Sequence, residues 1–326
     1  MNLVLSSFGT SLLKEDNMFV IHSHDGSQVL DPQKVRTISI SKGAKISSDA
    51  VILAISHEID VQFIDKVGTP LGRVWSVKYG SISTIRRKQL DFIFKSESVA
   101  WIKDITIRKI DNQAALLWSL SGYHFDLQPL IETAVGKLSD YKQKIMSAKY
   151  EVISEFAPTL RGWEGQAAKI YFEIIAQVVP PVYCFNGRSQ HPATDVFNCL
   201  LNYGYGMLYG KVESALIKAG IDPYIGVFHR EDYNRPVLAF DVIEIFRVWI
   251  DYVVVSLCMQ KAIDEDCYSI KDGAYWLENL GRRILIQSVN DYMDQVVMLN
   301  ALERSRASHI DLYAQQLAQM FLNTYE

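Results

Sequence analysis

With 326 residues, 49% of them hydrophobic and 21% charged, the chain has the composition of an ordinary folded protein with a large core, most simply divided between two domains. Its net charge of −4 excludes a uniformly basic nucleic-acid binder, although the first 90 residues carry +3 against −7 for the remainder, and basic residues cluster at Arg86-Arg87-Lys88, Arg108-Lys109, Lys142/Lys144/Lys149 and Arg282-Arg283. No apolar run reaches the roughly 20 residues of a membrane span, Met1-Asn2-Leu3-Val4 opens no signal peptide, and four scattered cysteines lack CxxC spacing, so a cytoplasmic protein with reduced thiols and no membrane partner is expected.

The first 85 or so residues read as β-rich. Short Val-, Ile- and Phe-rich segments at 2–6, 18–23, 28–30, 35–41, 61–63 and 68–74 are punctuated by turn signals such as Asp25-Gly26 and Lys66-Val67-Gly68. One helix interrupts them, with Ser47 or Ser48 as its N-cap and Val51, Ala54 and Ile55 on one face. The pattern changes around 79–83. From Thr84 apolar residues recur every three or four positions, which predicts helices over 84–110, 112–121, 126–147, 149–157, 162–178, 192–219, 241–262, 273–297 and 304–324. The expected breaks are Pro158, Pro180-Pro181, Gly187, 220–223 and Gly273. The fold class is therefore α+β: a small N-terminal β domain with one helix, residues 1–83, and a larger all-α domain, residues 84–326.

Three segments carry candidate chemistry. In Leu160-Arg161-Gly162-Trp163-Glu164-Gly165, Glu164 is expected in the first turn of a helix that follows Pro158-Thr159. It is either an acid favoured by the helix dipole or, given its flanking glycines, a residue beside a close-approaching backbone or ligand. The loop Phe185–Asp195 opens a long helix, capped by Thr194 or Asp195. That helix begins Asn198-Cys199-Leu200-Leu201-Asn202-Tyr203-Gly204-Tyr205-Gly206, continuing to Gly210. Its glycines allow close helix packing, and its tyrosines either offer hydroxyls to a phosphate or are ordinary packing residues at a rim. In the third segment, 226–244, His229 ends an apolar run, a polar loop follows, and Asp241 and Glu244 lie three apart on one helix face. Acids in so apolar a stretch need a partner or a cation.

An imidazole and carboxylates suit Mg²⁺ or Mn²⁺ better than a thiolate-held zinc. A hard cation activates an oxygen nucleophile and neutralises charge on a phosphodiester. The sequence contains no P-loop, no GxGxxG and no GxSxG, which removes support for nucleotide hydrolysis, hydride transfer and serine hydrolysis.

Taken together and in order, Gly162-Trp163-Glu164-Gly165, Asn202-Tyr203-Gly204-Tyr205-Gly206, the stretch 220–229 ending in Phe228-His229, and Leu238-Ala239-Phe240-Asp241-Val242-Ile243-Glu244 resemble the CRISPR-associated integrase family, the catalytic subunit of spacer acquisition. The resemblance covers most of the chain and includes the β region around 35–63. It implies that Glu164, His229 and Glu244 ligate the metal and that Asp241 is a further acid beside the site. Many members carry Asp where this chain has Glu244. It also matches Asp195 to an aspartate before the long helix, although Arg188 stands in a loop less basic than in many members. The implied activity is metal-dependent DNA endonuclease and integrase chemistry, in which the 3′-hydroxyl of captured DNA attacks a phosphodiester at a CRISPR repeat. The implied partners are DNA, a second copy of the chain joined through the β domain as a homodimer, and a small ferredoxin-like subunit, the second-numbered Cas protein. The alternative is a non-catalytic DNA-binding assembly subunit with a decayed metal site.

Overall fold

Strand-forming residues at the start of the chain fold as two four-stranded sheets in the computed structural model, which describes residues 1–24, 26–66, 68–74, 83–122, 124–190, 192–229 and 235–323. In chain order the N-terminal elements are β1 (Asn2–Leu5), β2 (Ser11–Glu15), β3 (Met18–Ser23), β4 (Gly26–Leu30), β5 (Thr37–Ser41), β6 (Lys45–Ile46), α1 (Ser48–Ser56), β7 (Asp60–Ile64) and β8 (Pro70–Arg73). One sheet has the order β1-β5-β7-β8, with β1, β5 and β7 parallel and β8 antiparallel to β7. The other has the order β4-β3-β2-β6. Leu3, Ile38, Ile40 and Val61 from the first sheet, Leu12 and Phe19 from the second, and Ala50, Leu53 and Ala54 of α1 form one core. Ser47 caps α1, its Oγ accepting the Ala50 N–H at 3.2 Å. Strand β2 has no counterpart in the sequence reading, because Leu12 is its one fully buried residue and Lys14-Glu15 face outward.

From residue 83 the chain is mostly helical: α2 (Ser83–Phe92), α3 (Ser96–Ser121), α4 (Gln128–Ser147), α5 (Ile153–Val178), α6 (Val196–Lys218), α7 (Val237–Ile243), α8 (Arg247–Met259), β9 (Tyr268–Lys271), β10 (Ala274–Leu277), α9 (Asn279–Asp294), β11 (Val296–Leu299), β12 (Leu302–Ser305) and α10 (Arg306–Asn323). A second core runs from Ile85 to Phe321 and is built around α6, which is buried on nearly every face and packs against α7, α8, α9 and α10. The sequence-predicted change of pattern at 79–83 falls largely in 75–82, outside the described residues.

Four expectations about the helices need correction. The helices expected over 84–110 and 112–121 instead divide at 93–95, between α2 and α3, and α3 runs unbroken through 111. Pro158 does not break the chain, since α5 runs through it from Ile153 to Val178. A proline in the second turn removes a single helical hydrogen bond near the start, which the long apolar face of α5 outweighs. The expected helix 241–262 is two helices, α7 and α8, with a reorientation at Glu244–Phe246. The expected helix 273–297 begins as a β-hairpin, because Asp272 and Gly273 both adopt positive φ, as a two-residue hairpin turn requires. Asn300 and Ala301 close a second hairpin in the same way.

The two parts meet along α6. A Cβ at Gly206 would stand 2.8 Å from the backbone of Gly68, and one at Gly210 would stand 2.6 Å from Gln62 Oε1. These glycines thus admit the β7–β8 turn and β7, while Gly204 admits Ile250 of α8. Arg73 pins the same seam, 2.5 Å from Glu213 of α6 and 3.6 Å from Asp60 of β7. No helix among the described residues is long and apolar enough to cross a membrane.

Candidate active site

Glu164 lies mid-way along α5, not in a first turn, so the helix dipole does not explain it. Glu244 sits at the α7–α8 junction and is 9% exposed. A residue of one of the basic clusters joins them. Lys109 of α3 places Nζ 2.5 Å from Glu164 Oε1 and 2.6 Å from Glu244 Oε2. Glu244 Oε1 lies 2.8 Å from Arg247 Nε. Burial alone would raise the Glu244 pKa, but Arg247 and Lys109 outweigh it and hold the carboxyl at about 2. Burial would likewise lower the Lys109 pKa, and the Glu164 and Glu244 carboxylates more than reverse it, so the ammonium stays charged. One turn further along α3, Asn112 Nδ2 donates to Ile245 O at 2.9 Å and fixes the junction that carries Glu244.

His229 reaches this region from the loop before α7. Asp241, 1% exposed, organises that loop. Its Oδ2 accepts the N–H groups of Val227 at 2.8 Å and Phe228 at 3.1 Å. Its Oδ1 accepts the His229 N–H at 3.1 Å and lies 2.7 Å from His229 Nδ1. With Nδ1 engaged, Nε2 is the ring nitrogen left for a further ligand. Burial would lower the His229 pKa, but the hydrogen bond and charge of Asp241, followed by the charges of Glu244 and Glu164, raise it. The loop turns tightly at Gly226, where a Cβ would lie 2.4 Å from His229 O. Arg161, one turn before Glu164 on α5, stacks 5.2 Å from the Phe228 ring and donates to Phe228 O at 3.3 Å. Residues 230–234 of the polar loop lie outside the described residues.

The structure therefore brings Glu164 and Glu244 together through Lys109 and sets His229 within their electrostatic reach, while Asp241 is committed to the loop. Among the described residues no three His, Cys, Asp or Glu side chains already form a metal-holding group. The donor chemistry nevertheless fits a hard divalent cation. Glu244 Oε2 is buried and, despite its closeness to Lys109, makes no well-directed hydrogen bond.

Behind the site, Arg247 lies 4.7 Å from the Tyr205 ring and Arg188 5.5 Å from the same ring. The Tyr205 hydroxyl donates to Asp251, as does that of Tyr171 at 2.9 Å, and Tyr209 donates to Pro236 O at 3.2 Å. Tyr205 and Tyr209 thus take protein partners, the plainer of the two alternatives. Arg188 is held by Asn198 and by Asn202 at 2.9 Å, so it braces the loop from within. Asp195 caps α6 by accepting the Asn198 N–H at 2.6 Å. His191 is outside the described residues. A cleft of about 780 Å³ opens beside the site between β8, α6 and α7, bounded by Arg73, Tyr205, Arg235, Phe240 and Arg247.

The glycines flanking Glu164 meet no protein neighbour, since a Cβ at either Gly162 or Gly165 would have nothing within 4 Å. Gly162→Ala and Gly165→Ala are each expected to raise unfolding free energy by about 0.5–1 kcal/mol, because Gly is the poorer helix former in open space. A lowered denaturation midpoint in both variants would show that the space is not open.

The family model "CRISPR associated protein Cas1" matches residues 3–291. The "CRISPR-associated endonuclease Cas1 1" of Archaeoglobus fulgidus is 31% identical over 97% of this chain and 95% of its own. A "CRISPR-associated endonuclease Cas1 2" of Saccharolobus solfataricus is 30% identical over 78% of this chain and 74% of its own. In fold, the chain is similar to a Cas1 protein from Thermotoga maritima, with TM-score 0.81, 19% identity and coverage of 99% of this chain and 97% of that one. It is likewise similar to a casposase bound to integration product, with TM-score 0.82, 22% identity and coverage of 100% and 91%. A family match spanning nearly the whole chain, joined to a full-length relative at this identity, means that the protein belongs to the Cas1 family of CRISPR-associated proteins.

Proposed function

We propose that the protein is a divalent-metal-dependent DNA endonuclease and integrase of CRISPR spacer acquisition, which joins the 3′-hydroxyl of captured DNA to the CRISPR repeat by transesterification. The observation that carries this reading is the convergence of Glu164 of α5 and Glu244 of the α7–α8 junction on Lys109, within electrostatic reach of an imidazole oriented by a buried aspartate, in a chain of the Cas1 family. Glu164, Glu244 and His229 Nε2 would hold Mg²⁺ or Mn²⁺. Such a cation, when bound, neutralises phosphodiester charge and favours the ionised attacking hydroxyl. The chain's own residues do the positioning. Asp241 fixes the His229 ring, Arg247 and Asn112 fix Glu244 and its junction, and the cleft between β8, α6 and α7 opens beside them as the approach for a DNA strand. Residues 1–83 would form the dimerisation domain and 84–326 the catalytic domain, with a small ferredoxin-like subunit as the second partner.

The test is a joining assay with branched DNA and the small subunit. Joined product is expected with Mn²⁺ or Mg²⁺ and none with excess EDTA. A second reading, the non-catalytic DNA-binding assembly subunit, is favoured by the lysine already standing between the carboxylates. It predicts DNA binding that is indifferent to metal and no joined or cleaved product at any metal concentration, and that outcome would displace the first.

A further inference from the structure

We propose that Lys109 is a resident counter-cation of the Glu164–Glu244 pair and that a divalent ion enters by displacing its ammonium. This rests on the metal-site reading above. Two carboxylates face two cations here, Lys109 and Arg247, so the cluster of Glu164, Glu244, Lys109 and Arg247 is electrically balanced. A divalent ion added to a balanced, largely buried cluster would leave two uncompensated positive charges, which a low-dielectric setting disfavours strongly. Releasing one resident cation halves that excess.

The two cations are not held equally. Arg247 keeps the Tyr205 ring at 4.7 Å as well as Glu244, and Tyr205 is itself anchored to the buried Asp251. Among the described residues Lys109 pairs with the two carboxylates alone. Its charge ends a flexible four-carbon stem, whereas the guanidinium is a rigid fork. Its Nζ contacts one oxygen of each carboxylate, Glu164 Oε1 and Glu244 Oε2. The ammonium thus holds both carboxylates in place and blocks them. Lys109 is in this sense a positioning residue that sets the affinity for metal.

The experiment is Mn²⁺ titration calorimetry on the full-length protein. Lys109→Met is expected to bind Mn²⁺ at least about tenfold more tightly than wild type, because no ammonium competes. Its melting temperature without metal should be lower than that of wild type, and Mn²⁺ should raise it by more. Lys109→Arg, which keeps the charge, should show no gain in affinity. If Lys109→Met binds Mn²⁺ as wild type does or more weakly, displacement is wrong. If neither wild type nor variant binds Mn²⁺, the metal-site reading itself fails.

Should Lys109→Met not fold, wild type supplies a second measurement. Reductive methylation followed by peptide mass spectrometry reads the accessibility of the Lys109 amine. Saturating Mn²⁺ should raise the modification of Lys109 several-fold over its level without metal. An unchanged or reduced level at saturating Mn²⁺ would overturn the exchange.

Discussion

Asp241→Ala is expected to destabilise the protein by about 3–5 kcal/mol, the range for removing one partner from a buried charged network. Asp241 is 1% exposed and accepts from three successive backbone N–H groups, Val227, Phe228 and His229, besides lying 2.7 Å from His229 Nδ1. Alanine leaves all three donors in a space that water does not readily fill, and each unsatisfied group costs about 1–3 kcal/mol. The loss should appear in chemical denaturation as a lower midpoint. Asp241→Asn separates the two duties of this side chain. Its carbonyl oxygen still accepts backbone hydrogen bonds, but the amide brings a donor and no charge, so much of the stability should return while the His229 ring loses its anionic partner. An Asp241→Ala midpoint equal to that of wild type would mean that the loop does not depend on this carboxylate.

The same residue shows where the sequence was legible and where it was not. Short Val-, Ile- and Phe-rich segments punctuated by turns before residue 75 and a helical period after it are written locally, so the α+β class was readable from patterning alone. The hairpins at 268–277 and 296–305 escaped because their strands are four residues long and abut strongly helical segments. The Asp272-Gly273 turn was a hairpin signal read only as a break where a helix begins. Asp241 and Glu244 stood out as acids in apolar sequence, but their different duties depend on the tight turn at Gly226 and the bend after Ile243, which no spacing rule supplies. Lys109 was hidden by its neighbour. Arg108 is half exposed and pairs with Asp104, as a solvated helix charge should. Lys109, about 100° further round the helix, turns inward to Glu164 and Glu244. The inward-facing Ile102, Ile105 and Ile110 on the same helix were the available signal that 109 lies at the edge of a buried face.

Loss of any one proposed ligand is expected to reduce metal-dependent DNA joining on the order of 10³-fold, but only two of the three variants should stay comfortably folded. In Glu164→Ala, Lys109 keeps Glu244 as a partner 2.6 Å away. In His229→Ala, Asp241 keeps its three backbone donors. Both should unfold within about 1–2 kcal/mol of wild type while joining is lost. Glu244 is different because it stands between Lys109 and Arg247, all three largely buried. Glu244→Ala sets two cations against each other without their shared anion, and a cost of about 3 kcal/mol or more follows. Its inactivity would then be uninformative about catalysis. Glu244→Asp is the fairer probe, since it keeps the charge between the two cations on a shorter arm and should fold while joining more slowly. Joining assays paired with denaturation curves on the four variants separate these effects. Wild-type joining by Glu164→Ala or His229→Ala would remove that residue from the site, and a fully stable Glu244→Ala would show that the two cations do not depend on it.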